Sequence, residues 1–129
     1  MRCIEVVAGI FMNEKNQVFC TQRKDYGLLA LKWEFPGGKI EKDETNETAL
    51  KRELMEELEV DSNIGEFYIT VNHQYNTFHL TMHVYMCTGD LNRYKLNEHN
   101  NAKWININEL LDLDWAEADI PIVNKLMEG

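Results

Sequence analysis

Leucines recur at positions 50, 54 and 58, a four-residue spacing in a stretch from Thr45 to Leu58 that holds no Gly or Pro. That period predicts an amphipathic helix over Thr45–Leu58. With Glu53 set to zero and about 100° per residue, the leucines lie between roughly +60° and +140°. Glu56 falls near roughly −60° and Glu57 near roughly +40°, so three carboxylates share the adjoining face, with Arg52 beside them at roughly −100°. The helix must therefore lay its leucines on an apolar partner while crowding like charges at its flank. Such i, i+3 and i, i+4 pairs disfavour an isolated helix by about a few tenths of a kcal/mol each.

The crowding extends upstream. Between Gly37 and Val60, "GGKIEKDETNETALKRELMEELEV" packs seven Glu and one Asp into twenty-four residues of a chain whose net charge is already −9. Acidic clusters are common on solvated helices. A hard divalent cation is the alternative compensation, because Mg²⁺ and Mn²⁺ prefer carboxylate oxygen and readily share a substrate's phosphates.

Around this helix the sequence alternates in the manner of strands. "RCIEVVAGIFMNE" is rich in β-branched residues, Asn13 to Gln17 reads as a turn, and "VFCTQRK" is expected to pair back as a second strand. "ALKWEFPGG" is a short strand stopped by Pro36 and the two glycines. "IGEFYITVNHQY" and "FHLTMHVYMCTG" read as long antiparallel neighbours, and "AKWINI" as another strand. "NINELLDL" starts a short helix at an Asn108 cap, and "EADIPIVNKLM" closes the chain as an amphipathic helix with Pro121 near its start. A mixed sheet flanked by helices follows, an α/β (α+β) class, within a single domain spanning 1–129.

Several functions are excluded by composition. With 22 acidic against 13 basic residues, the chain has no broad electrostatic footprint for a nucleic-acid polymer. No apolar run suffices for a membrane span, and the N-terminus lacks a signal peptide's layout. Cys3, Cys20 and Cys87 are odd in number, widely spaced and without metal-ligand spacing, which predicts reduced thiols in a cytoplasmic protein, each a small core hydrophobe. His73, His79, His83 and His99 likewise lack metal spacing and are expected to decorate strands and loops. The expected state is a monomer or weak homodimer.

The glycines and the upstream acid sharpen the metal reading. Gly38, Glu44, Arg52-Glu53-Leu54, Glu56-Glu57 and Val60 stand at spacings that resemble the Nudix box, G-x5-E-x7-R-E-U-x-E-E-x-G-U with U aliphatic. Six fixed positions at roughly one in fifteen each make a chance match about 10⁻⁷ per starting point. One position departs: Glu59 stands where the family usually has Gly, at a helix exit where a left-handed residue other than Gly costs roughly 1–2 kcal/mol.

Outside the box, "LKWEFPGGKIE" is similar to the MutT branch, whose members hydrolyse nucleoside triphosphates to monophosphate and pyrophosphate. "VNHQY", "NEHNNAKW" and "EADIPIV" resemble its bacterial CTP pyrophosphohydrolase subgroup. The resemblance implies an α/β/α sandwich around a mixed sheet. It further implies that Glu53, Glu56, Glu57 and the carbonyl of Gly37 hold Mg²⁺, with Mn²⁺ as a substitute. Arg52 would orient a neighbouring glutamate, and Glu44 would support the loop–helix geometry. Glu98 would ligate metal or take a proton from water, and Arg23 and Lys39 would meet phosphates. Whether Glu53 or Glu98 is the general base stays open, as does a non-catalytic binding role for the domain.

Asp119 falls where the MutT branch reads the base edge. An ionised carboxylate only accepts hydrogen bonds, which suits the exocyclic amine of cytosine but equally the N–H donors of guanine or 8-oxoguanine. A helix N-terminal acid favoured by the macrodipole is the competing account. Tyr75 and Phe78 could stack a base or belong to the core. The expected substrates are CTP, dCTP or modified cytidine nucleotides, with 8-oxo-dGTP as the alternative.

Overall fold

The computed structural model describes residues 2–129. β1 (Arg2–Phe11) is the centre of a four-stranded mixed sheet of order β4-β1-β6-β5, in which β6 (Phe78–Gly89) runs parallel to it. β5 (Ser62–Gln74) pairs antiparallel with β6, and the short β4 (Gly37–Lys39) pairs antiparallel with β1. A second, antiparallel sheet has the order β3-β2-β7, from β3 (Trp33–Glu34), β2 (Gln17–Arg23) and β7 (His99–Asn106).

Alternation along β1 and β2 builds an apolar layer on each side. Val7, Phe11 and Phe19 face α1 (Asn46–Leu58), whose Leu50, Leu54 and Leu58 are fully buried among them. Ala8, Ile10, Val18 and Cys20 join Ile122, Val123 and Leu126 of α2 (Ile120–Glu128) in the other layer. Each buried leucine contributes about 1.5–3 kcal/mol, which outweighs the repulsion on the acidic flank of α1. The architecture is an α/β/α sandwich.

Three expectations need correction. β2 does not pair back along β1; apart from a single Met12–Val18 bridge it enters the other sheet, because β4 and β6 already occupy both edges of β1. The Asn13 turn persists, its Oδ1 accepting the N–H groups of Lys15 and Gln17. The segment after Ala30 is two strands rather than one: Pro36 carries the chain from β3 in one sheet to β4 in the other, and its carbonyl accepts the Gly9 N–H at 2.8 Å. Finally, the helix placed at an Asn108 cap is a 3₁₀ turn over Ile107–Asp112 preceded by Asn106, without a side-chain cap. The Ile107 N–H goes to the Asn16 carbonyl, so the turn begins directly where β7 ends.

Cys20 and Cys87 are buried, and burial pushes both thiols up to about 12, which leaves them inert. Cys3 is exposed instead, because the outer end of β1 extends beyond the core.

Candidate active site

The segment that crosses between the sheets lies beneath the acidic flank of α1. Gly37 and Gly38 leave no room for a side chain: a Cβ on Gly37 would strike the Val7 carbonyl, and one on Gly38 would strike the Glu53 carboxylate. This close approach lets the Gly37 N–H donate to Glu57 Oε1 at 3.0 Å. The helix itself is fixed by Thr45, whose hydroxyl accepts the Thr48 N–H at 3.1 Å as an N-cap.

Arg52 organises the carboxylates around it. Its Nε and one terminal nitrogen grip Glu44 bidentately at 2.7 and 2.8 Å, and the other terminal nitrogen reaches Glu53 at 2.8 Å. It also contacts Glu56 at 3.2 Å and the Lys39 carbonyl at 3.0 Å. The Arg52 bonds, with the Glu41 N–H, hold the Glu44 carboxyl down to about 2, so it is ionised throughout the neutral range.

Glu53, Glu57 and Glu98 converge, with ligand oxygens all within 4.8 Å of one another. Glu56 lies outside this group: half-exposed, it pairs with Arg52. Burial raises Glu53 above the ordinary carboxylate range against the pull of Arg52, and the charges of Glu56 and Glu98 add to the rise. Glu57, only 7% exposed, is pushed up to about 9 by burial and by Glu34, Glu98 and Glu53 around it. Glu57 is buried, Glu53 half-buried and Glu98 exposed, and of the three only Glu53 is reached by Arg52. Carboxyls facing one another so closely, all offering oxygen, are the donor chemistry of a hard divalent cation. The residues present fit such an ion.

A cleft of about 480 Å³ runs from these acids between the two sheets to the N-terminal end of α2. Arg23, Lys39, Phe78 and Asp119 line it together with Gly37, Glu53, Glu57 and Glu98, whereas Glu44, Arg52 and Glu56 are not among its lining residues. Arg23 bonds Glu34 at 3.2 Å, and its buried Nε has no partner among the described residues. At the far end Asp119 is 4% exposed. It occupies the residue before α2 but makes no side-chain cap; its Oδ1 accepts the Phe35 N–H at 3.1 Å. Burial, and then the charge of Glu34, raise its carboxyl well above the usual range. Tyr75 stacks on Phe78 with centroids 4.9 Å apart, and its hydroxyl accepts the Ala118 N–H.

Two residues of the cleft region escaped the sequence reading. Glu34 sits between Arg23 and His99, and His99 Nε2 meets it at 3.0 Å. His99 is 5% exposed, not a surface histidine. The available signal was a single acid inside the apolar "KWEFPGG" run, where a buried charge requires partners.

A family model for the NUDIX domain matches residues 7–125. The chain belongs to the Nudix family. Among Nudix relatives it is 32% identical to the CTP pyrophosphohydrolase of Escherichia coli K12, over 98% of this chain and 93% of that protein. It is 30% identical to the 8-oxo-dGTP diphosphatase of the same organism, over 98% of both. The solution structure of the Nudix hydrolase MutT from methicillin-resistant Staphylococcus aureus 252, described as a DNA mismatch repair protein, superposes with a TM-score of 0.78 at 44% identity over the full length of both chains. The chain is thus a Nudix nucleotide hydrolase, of a family that generally uses divalent metal ions. No helix among the described residues is long and apolar enough to cross a membrane.

Proposed function

We propose that this single-domain Nudix enzyme hydrolyses nucleoside triphosphates to nucleoside monophosphate and pyrophosphate, with Mg²⁺ as cofactor, in a cytoplasmic setting. One observation carries the reading: a single cleft joins the Glu53–Glu57–Glu98 oxygens at one end to a buried hydrogen-bonding carboxyl, Asp119, beside stacked aromatic rings at the other. That is the polarity of a nucleotide, with phosphates toward the acids and base toward Asp119.

Glu53, Glu57 and Glu98 would hold the ion, with Glu56 at the periphery and the Gly37 carbonyl as a further oxygen. When bound, the cation neutralises phosphate charge and makes phosphorus more electrophilic. The chain's own residues do the rest. Arg52, fixed by Glu44, holds the Glu53 carboxylate in place. Arg23 and Lys39, both on the cleft wall, meet the phosphates. Water attacks the β-phosphorus and gives up a proton to Glu53 or Glu98. The bond from that phosphorus to the α–β bridging oxygen breaks, and the monophosphate leaves with that oxygen. Positioning and charge neutralisation account for most of the rate.

Cytidine nucleotides are the preferred reading, supported by the likeness to the CTP pyrophosphohydrolase over nearly the whole chain. Hydrolysis of 8-oxo-dGTP is the second reading: the guanine edge also offers N–H donors to Asp119, and the 8-oxo-dGTP diphosphatase is nearly as similar. A steady-state panel of CTP, dCTP, 5-methyl-dCTP, dGTP, 8-oxo-dGTP and ADP-ribose separates them. The highest kcat/KM is expected within the cytidine set, and preference for 8-oxo-dGTP selects the second.

Asp119→Asn tests the reader. Because Oδ1 serves the Phe35 N–H, an asparagine must keep its carbonyl there and turn its amide nitrogen to the cleft. Although burial raises the Asp119 carboxyl, the cytosine amine favours its ionised form, whose free oxygen accepts; in the asparagine a donor meets that amine, so the ratio of kcat/KM for CTP over UTP should fall by about tenfold to a hundredfold. An unchanged ratio removes Asp119 from base recognition.

A further inference from the structure

Glu59 adopts the left-handed conformation at the end of α1, φ 56° and ψ 39°, with its N–H on the Met55 carbonyl. A glycine would take this conformation without strain, so a glutamate persisting here needs its side chain to do something. The carbonyls that follow Met55 are all taken by one short loop. Glu56 O accepts from Asn97 Nδ2 at 2.9 Å, Glu57 O from Asn97 N at 3.0 Å, and Leu58 O from Lys95 N at 2.9 Å. The Asn97 amide also donates to Glu59 Oε2 at 3.0 Å, so the Glu59 carboxylate and the helix end grip one side chain between them. The residue after Asn97 is Glu98. Its carboxylate has no hydrogen bond or ion pair of its own among the described residues, yet it stands with Glu53 and Glu57 of the same helix. What holds Glu98 there is therefore the backbone on either side, anchored at Asn97 to α1 and at His99 to Glu34.

We propose that Glu59 is a positioning residue: its carboxylate locks Asn97 across the end of α1 and so keeps Glu98 within the acidic cluster. The inference rests on the reading above in which Glu98 takes part in hydrolysis. It concerns a position where this chain departs from the Nudix box. The ion pair to Lys95, at 3.9 Å between exposed groups, adds little.

The test compares the parent with E59G, E59Q and E98Q, measuring kcat and KM for CTP with Mg²⁺, the thermal midpoint, and hydrogen exchange at the Asn97 amide. E59G removes both strain and tether. Its midpoint should rise by about a few degrees, while kcat falls about three- to tenfold at nearly constant KM and Asn97 exchange quickens about tenfold. E59Q keeps an oxygen to accept from Asn97 and should recover most of the parent kcat and protection. E98Q should be slow. E59G at parent kcat and protection beside a slow E98Q overturns the role of Glu59 alone. A loss of kcat in E59G that comes with a lowered midpoint overturns it too, because general destabilisation then suffices. E98Q at the parent rate overturns the reading of Glu98 on which the inference rests.

Discussion

Glu53→Gln is expected to lower kcat by about 10³-fold while moving the thermal midpoint by no more than a few degrees. The side chain is 14% exposed, packs against the Cβ-free edge of Gly38 and shares an oxygen cluster with Glu57 and Glu98. Glutamine fills the same volume, so the contact with Gly38 survives. The fold loses one ion pair to Arg52, but Arg52 keeps its bidentate grip on Glu44. It also loses a carboxyl that burial disfavours and that Glu56 and Glu98 repel, so the two changes offset. Chemistry has no such offset, because an amide neither takes a proton from water nor binds a hard cation with comparable strength. Paired measurements of kcat and of the melting curve check this. Turnover near the parent level removes Glu53 from the reaction, and a collapsed melting curve assigns it to the fold.

Metal-free protein should lose stability as the pH rises from about 5 to about 9, and Mg²⁺ should abolish most of that loss. The Glu57 carboxyl is lifted from 4.5 to about 9, first by burial and then by neighbouring carboxylates. Between those values the folded chain keeps a proton that the unfolded chain has released. The contribution is therefore complete below about pH 4.5 and disappears as the pH climbs to the folded value, with a slope of about 1.4 kcal/mol per pH unit for one proton. Glu53 and Asp119, both raised chiefly by burial, act in the same direction. Glu44 acts oppositely: lowered to about 2 by Arg52, its contribution is present above 4.5 and vanishes as the pH falls toward 2. A bound cation favours the ionised carboxylates and so reverses the alkaline loss. Melting curves from pH 5 to 9 in chelator and in Mg²⁺ test both parts, and Glu57→Gln should flatten the chelator series. A flat chelator series in the parent, or one that rises with pH, contradicts the electrostatic account of the cluster.

The helix was legible because its signals are local. The leucine period, the Thr45 start and the acid stripe all fall within one segment, and Glu59 takes the left-handed exit that its place in the box implies. Strand identity was legible for the same reason, from β-branched runs and turns. Pairing was not, since it depends on which edges are already filled: "VFCTQRK" looks like the second arm of a hairpin until β4 and β6 claim both sides of β1. The cleft shows the same division. Spacing alone brought out Glu53, Glu56 and Glu57, yet only the folded chain separates Glu56, turned to Arg52, from Glu98, brought in by the loop that caps α1. Glu34 and His99 carry no spacing signal, because their partnership spans 65 residues and exists only through the β2 strand between them.

The most direct test of the central claim is hydrolysis of CTP by the parent protein with Mg²⁺ in oxygen-18 water, followed by mass analysis of the separated products. Attack at the β-phosphorus puts the heavy oxygen in pyrophosphate and leaves CMP unlabelled, and that is the result expected here. Label in CMP, release of inorganic phosphate in place of pyrophosphate, or no turnover of CTP or of 8-oxo-dGTP would contradict the account.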